Sequence, residues 1–160
     1  MNRRLIPLTP LLALALLVGA IQSRAHADAA GPAQLTSVEG PVGVRLPNKT
    51  AFEPGQVGEW LPAGTILRTG LHGKAGLHWS NGGDFVLEPL GELDIQDPND
   101  TRVDAGQVWA RYTHKLLAPF SFQTPSATAV VRGTILGVRV DGLGVSRVTV
   151  FRGLVEVSDA

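Results

Sequence analysis

The chain has 160 residues, with 14 Lys and Arg against 14 Asp and Glu, 44% apolar residues and no cysteine. That length fits one ordinary domain, and the lack of cysteine excludes disulfides, thiolate catalysis, Cys-ligated zinc and iron–sulfur clusters. Arg3, Arg4 and Arg24 lie in the first 27 residues, so from Asp28 onward 11 basic residues stand against 14 acidic ones without a Lys/Arg cluster, which excludes a phosphate-neutralising face for nucleic acid.

Residues 1–27 read as a signal peptide. Arg3 and Arg4 supply the positive start, Leu11 to Ile21 the apolar run, and Ala25-His26-Ala27 a small-x-small motif that places the cut between Ala27 and Asp28. The apolar run falls short of the ~20 residues a membrane span needs, and Pro7 and Pro10 interrupt its extension, so no retained span is expected. The predicted destination is the periplasm or exterior of a bacterial cell, by either the general or the twin-arginine route. Residues 28–34 are small and polar without a period and are expected to form a flexible leader.

Residues 35–159 read as one β-domain. Glycine and proline punctuate the chain throughout, and no window combines helical apolar spacing with a cap. Strands are expected at Leu35–Val38, Val42–Leu46, Thr65–Thr69, Ala75–Trp79, Phe85–Leu87, Leu93–Gln96, Val108–Tyr112, Phe120–Thr124, Val130–Val131 with Ile135–Val140, Arg147–Phe151 and Leu154–Val157. About ten short strands with a turn every 8–12 residues make the fold class all-β, a solenoid-like β-roll or a sandwich. Gly40, Gly106 and Gly153 each stand two residues before a Val that opens a strand, and each is expected to form a tight turn between strands.

Chemistry-bearing constellations are sparse. His72, His78 and His114 follow the leader; His72 and His78, with Glu88, are the strongest basis for a cupin-like metal site, but no His-x-His or His-Glu-x-x-His spacing occurs. No Gly-x-Ser-x-Gly elbow is present. Asp84, Glu88, Glu92 and Asp94 read as solvated charges in preference to an acid/base pair, and Asp94, Asp97, Asp100 and Asp104 around Pro98-Asn99 as an Asx-rich turn in preference to a calcium loop. Trp79 and Trp109 sit in strand patterns and are expected in the core; Trp60, after a glycine-rich stretch, is the candidate exposed platform for a sugar ring.

The run Phe120-Ser121-Phe122-Gln123-Thr124-Pro125-Ser126-Ala127-Thr128-Ala129-Val130-Val131-Arg132-Gly133-Thr134 resembles the signature of the FecR family of periplasmic regulatory domains. Leu61 to Gly70, Ala75–Trp79, Asn81-Gly82-Gly83, Phe85 to Pro89, Ala105 to Val108 and Val148 to Val157 are similar to the rest of that pattern, so the likeness covers about residues 60–157. It implies a non-enzymatic, solenoid-like β-domain used in signal relay or protein contact. The chain shows neither the cytoplasmic anti-sigma segment nor the transmembrane helix of the full-length regulators, so only the periplasmic module is carried over.

Read physically, the signature residues Thr124, Pro125, Arg132, Gly133, Thr134 and Gly153 are architectural. Pro125 should end its strand at a corner, Gly133 should permit a bend that Thr134 ties with hydrogen bonds, and Arg132 should bind carbonyls or a carboxylate such as Asp84 or Glu88. The functional expectation is an exported module that binds a protein or envelope component, without catalysis, cofactor or metal. Its possible binding surface is Trp60 and Arg132. A cell-wall glycan-binding module and a small metalloenzyme are the alternatives.

Overall fold

Buried and exposed residues alternate along the strands, as a sheet with one dry face requires. The computed structural model describes residues 31–113 and 118–160; the cleavage site at Ala27 and Asp28, and His114, lie outside them. In chain order the strands are β1 (Ala33–Glu39), β2 (Val42–Arg45), β3 (Glu53–Pro54), β4 (Trp60–Leu61), β5 (Thr65–Thr69), β6 (Lys74–Trp79), β7 (Gly83–Leu87), β8 (Glu92–Asp97), β9 (Asp100–Tyr112), β10 (Phe120–Gln123), β11 (Ala127–Val140) and β12 (Ser146–Asp159). The domain is all-β, and the expected roll takes the form of one sheet curled into a half-barrel.

Three differences from the sequence reading have physical causes. Strand β1 starts at Ala33, which is fully buried opposite Trp79 and Leu61, so Ala33 and Gln34 are strand and not leader. The segments Val130–Val131 and Ile135–Val140 are one 14-residue strand, and so are Arg147–Phe151 and Leu154–Val157. Of the three Gly-x-Val sites only Gly40 lies between strands; Gly106 and Gly153 lie inside β9 and β12 at φ of 81° and 99°. There they are bulges, not tight turns.

These interior glycines let the long strands change partners. The first half of β9 pairs with β8 and its second half with β7, with Gly106 between them. A Cβ on Gly106 would stand 2.5 Å from the Gly91 Cα and 2.9 Å from the Leu90 carbonyl oxygen. Strand β11 pairs with β10 through Thr128–Val131 and with β9 through Ile135–Val140, and Gly133 (φ 58°) lies at the switch. All pairings are antiparallel except β9 with β10, which joins Asp100–Arg102 to Ser121–Gln123 and curls the sheet.

The curl encloses an aromatic cluster. Trp79, Phe85, Phe120, Phe122 and Tyr112 are buried and touch in edge-on and tilted pairs with centroids 4.6–5.4 Å apart, the arrangement aromatic quadrupoles favour. Leu35, Leu67, Leu87, Leu93, Ile95 and Val103 extend this core along the sheet. Phe122→Ala should therefore cost about 3–5 kcal/mol in denaturant unfolding. Gly106→Ala should cost about 1–3 kcal/mol through strain at positive φ, and a variant as stable as the parent would show that the bulge relaxes without penalty.

Candidate interaction surface

Among the described residues strand β12 pairs with β11 alone. Its two halves keep the same register against β11 because two irregularities compensate. Gly133 and Thr134 together face Gly153, and Phe151 is the extra residue on β12 between the Leu136–Val150 and Ile135–Arg152 pairs. The Thr134 hydroxyl lies 3.0 Å from both the Arg132 and Leu154 carbonyl oxygens, while a Cβ on Gly153 would meet the Gly133 carbonyl oxygen at 2.7 Å. Both residues thus stitch a bulge where Gly153 was expected to form a tight turn between strands.

At the other end of the signature, Thr124, Pro125, Ser126 and Ala127 form the turn joining β10 to β11. The Thr124 backbone N–H donates to the Ala127 carbonyl oxygen at 2.8 Å, and the Ala127 N–H donates to the Thr124 hydroxyl at 3.0 Å. Pro125 fits because this turn needs no donor from it. Ser146 hydroxyl then donates to Thr124 at 2.7 Å, fastening the start of β12 to the same corner.

Arg132 is exposed and makes none of the carboxylate contacts expected of it. Asp84 accepts instead from His78 at 2.8 Å and Arg111 at 2.9 Å, and Glu88 pairs with Lys74 at 3.0 Å. Arg132 stands opposite Leu154 on the outer side of β11. The tryptophans also exchange places with expectation. Trp60 is half-buried in β4 opposite Gln34, whereas Trp109 is 39% exposed, covers Gly137 and stacks against Phe151 with centroids 5.7 Å apart. Alternation carries the signal: Val108, Ala110 and Tyr112 point into the core, so Trp109 shares the outer face with Arg111.

Phe151, Leu154, Val150 and Val157 are 62%, 78%, 45% and 54% exposed along β12. Arg147 and Arg152 precede Glu156 and Asp159, so the strand is basic in its first half and acidic in its second. Arg147 lies directly opposite Arg139, a like-charge placement that costs a few tenths of a kcal/mol or more.

Several other titratable groups are used by the fold. No group of three His, Asp or Glu side chains comes together among the described residues; His72 is exposed in the turn before β6 while His78 is bound to Asp84. Asp97 caps its own turn by accepting the Asn99 N–H at 2.6 Å. The groove beside Val42, Phe52 and Thr69 is apolar, and Arg45 and Arg68 lie over the Phe52 ring at 5.2 and 4.6 Å.

A protein-family profile described as FecR protein matches residues 66–156, within which lie the β10–β11 corner, the Gly133 bulge and nearly all of β12. The chain belongs to the FecR family. Comparison with curated proteins and with solved structures gave no match. FecR proteins are signalling and regulatory proteins and not enzymes, typically acting in the periplasm, and among the described residues no helix is long and apolar enough to cross a membrane.

The carboxylates give this FecR domain a distinctive acid response. The hydrogen bond from His78, and next that from Arg111, holds Asp84 below the usual carboxylate range despite partial burial. Burial, and then Asp104, pushes Asp94 up; burial also pushes Asp100 up against the hydrogen bond from Gln123. A raised carboxyl costs stability when ionised, and that cost is relieved as pH falls through its folded value; Asp84 instead contributes above its unfolded value and loses this as pH falls through its depressed one. Asp94→Asn should raise Tm at pH 7, with the gain shrinking toward about pH 3, whereas Asp84→Asn should lower Tm at pH 7. Thermal scans across that range check both signs.

Proposed function

We propose that the chain is exported, cut after Ala27, and works in the periplasm as a protein-contact module of an envelope signalling system, with β12 as its contact edge. The carrying observation is that this 14-residue strand is hydrogen-bonded on one side and holds four large apolar side chains in solvent. A free edge supplies a row of backbone donors and acceptors, and alternating side chains give the added strand its specificity.

Family membership supports the regulatory role, and the use of Asp84, Glu88, Glu92, Asp97 and Asp104 in ion pairs and a turn supports a module without catalysis, cofactor or metal. Glycan binding through Trp60 is not favoured, because that ring is half-buried in the sheet.

N-terminal sequencing of the mature product should begin at Asp28. A photo-crosslinking residue placed at Leu154 in cells should give discrete protein adducts that the same residue at Ser80, on an exposed turn remote in the sheet order, does not. Equal labelling from both positions, or none from Leu154, would remove β12 as the contact edge.

A further inference from the structure

Natural sheets blunt their edges, and this one does so at two places. Strand β3 has two residues and ends in Pro54, and β4 has two residues followed by Pro62. Strand β12 is 14 residues long and holds no proline, so its bulge at Phe151 and its own side chains decide what it can pair with.

Val148 and Val150 stand opposite buried Val138 and Leu136, and Val155 and Val157 opposite buried Val131 and Ala129. All four valines therefore lie on the core side, where Val148 and Val155 are partly covered and Val150 and Val157 are left exposed. Because Phe151 is an extra residue, the inward set is even-numbered before it and odd-numbered after it. A partner strand of strict alternation cannot place apolar residues opposite both halves in one register. A strand with the same break, turned end for end, can.

We propose that β12 pairs antiparallel with β12 of a second copy of this chain, the twofold axis passing between Arg152 and Gly153. In that register Val148 faces Val157 and Val150 faces Val155 on the core side, while Phe151 faces Leu154 and Thr149 faces Glu156 on the outer side. Every apolar residue of the strand's free edge then meets another. Arg147 faces Ser158 of the second copy, with that copy's Glu156 on the diagonal, within reach of long side chains. That carboxylate relieves the like-charge placement of Arg147 against Arg139. A parallel arrangement in register would set Arg147 directly against Arg147, whereas the antiparallel one brings only the two Arg152 side chains near each other, across the axis. An isologous interface of this kind closes after two copies and leaves no β12 edge free.

This inference rests on the reading of β12 as the contact edge, and it is tested apart from it. The chain contains no cysteine, so single cysteines report cleanly. Thr149→Cys protein mixed with Glu156→Cys protein should form a disulfide-linked heterodimer on oxidation, as should Val150→Cys with Val155→Cys. Facing Cα atoms in an antiparallel pair are about 4.5–5.5 Å apart, within disulfide range. Thr149→Cys alone should not cross-link, since its two copies would stand roughly 23 Å apart at strand rise. Sedimentation of the purified chain should show a dimer that Leu154→Lys with Val157→Lys weakens by at least ~100-fold, since four charges would be forced into the interface. Circular dichroism of that variant should match the parent.

A chain that stays monomeric at high concentration, homo-linked Thr149→Cys protein, or a dimer indifferent to the double Lys substitution would each overturn the proposal. If the monomer nevertheless gives cellular adducts from Leu154 to a different protein, the second copy is wrong and the contact edge stands. If those adducts are also missing, both readings fall.

Discussion

The constraint on which this domain depends is that a single sheet must bend round one aromatic cluster without breaking its ladders. Flat strands of 13 and 14 residues would run past a core built from Trp79, Phe85, Phe120, Phe122 and Tyr112. Strands β9 and β11 wrap it by giving each half a different neighbour, and the change of neighbour needs a residue whose backbone turns where a side chain would collide. At Gly106 the obstruction is the backbone around Gly91. At Gly133 no neighbour obstructs a Cβ, and the positive φ itself sets the requirement. Removing a large aromatic side chain weakens the core, but removing the freedom of these glycines would remove the path of the strands that enclose it.

From that constraint the character of the exposed edge follows. The bulge in β11 sets two residues opposite the single Gly153, one more than a regular ladder holds, and β12 stays in register beyond it because Phe151 adds a residue of its own. The two insertions cancel in register but each reverses the alternation within its strand. The valines of β12 therefore remain on the core side along its whole length, while Phe151 is delivered to the outer face against Trp109. The same feature that lets β11 follow the core thus prepares an apolar strip beyond it. The run from Thr124-Pro125 to Gly133-Thr134 spans the corner and the bulge that generate this geometry.

Much of the architecture was legible in the sequence, because alternation and β-branched residues are local signals. Thr65–Thr69 matches β5 and six other strands agree within one or two residues at their ends, whereas β9 begins eight residues before the expected Val108, inside the stretch read as an Asx-rich turn, and the two-residue strands β3 and β4 were not expected. Turn or bulge was not legible. Gly40-Pro41-Val42 and Gly153-Leu154-Val155 look alike locally, and what separates them is Gly133-Thr134 lying opposite the second, which no local pattern encodes. Arg132 is expected to bind carbonyls or a carboxylate, yet Asp84 already accepts from His78 on β6 and Arg111 on β9. Trp109 was misplaced for a different reason: its neighbours Val108, Ala110 and Tyr112 form the buried period, and aromatic character outweighed a phase that was already visible.

The pairing of Trp109 with Gly137 shows how the outer face supports the edge. Gly137 on β11 leaves a hollow that the indole covers from β9, and the ring extends to Phe151 on β12. The outermost strand is thus held by its ladder to β11, by the Thr134 and Ser146 hydroxyls, and by an aromatic contact that reaches across β11. A long edge strand loses backbone entropy when ordered, and Val148 and Val155 alone bury limited apolar area against that cost. The cross-strand stack on the outer face and the valine row on the inner face together hold β12 in an extended form before any partner arrives. A pre-ordered edge binds without the ordering penalty that a disordered segment would bear, so the residues that keep β12 attached to its own domain are also those that favour the addition of another strand.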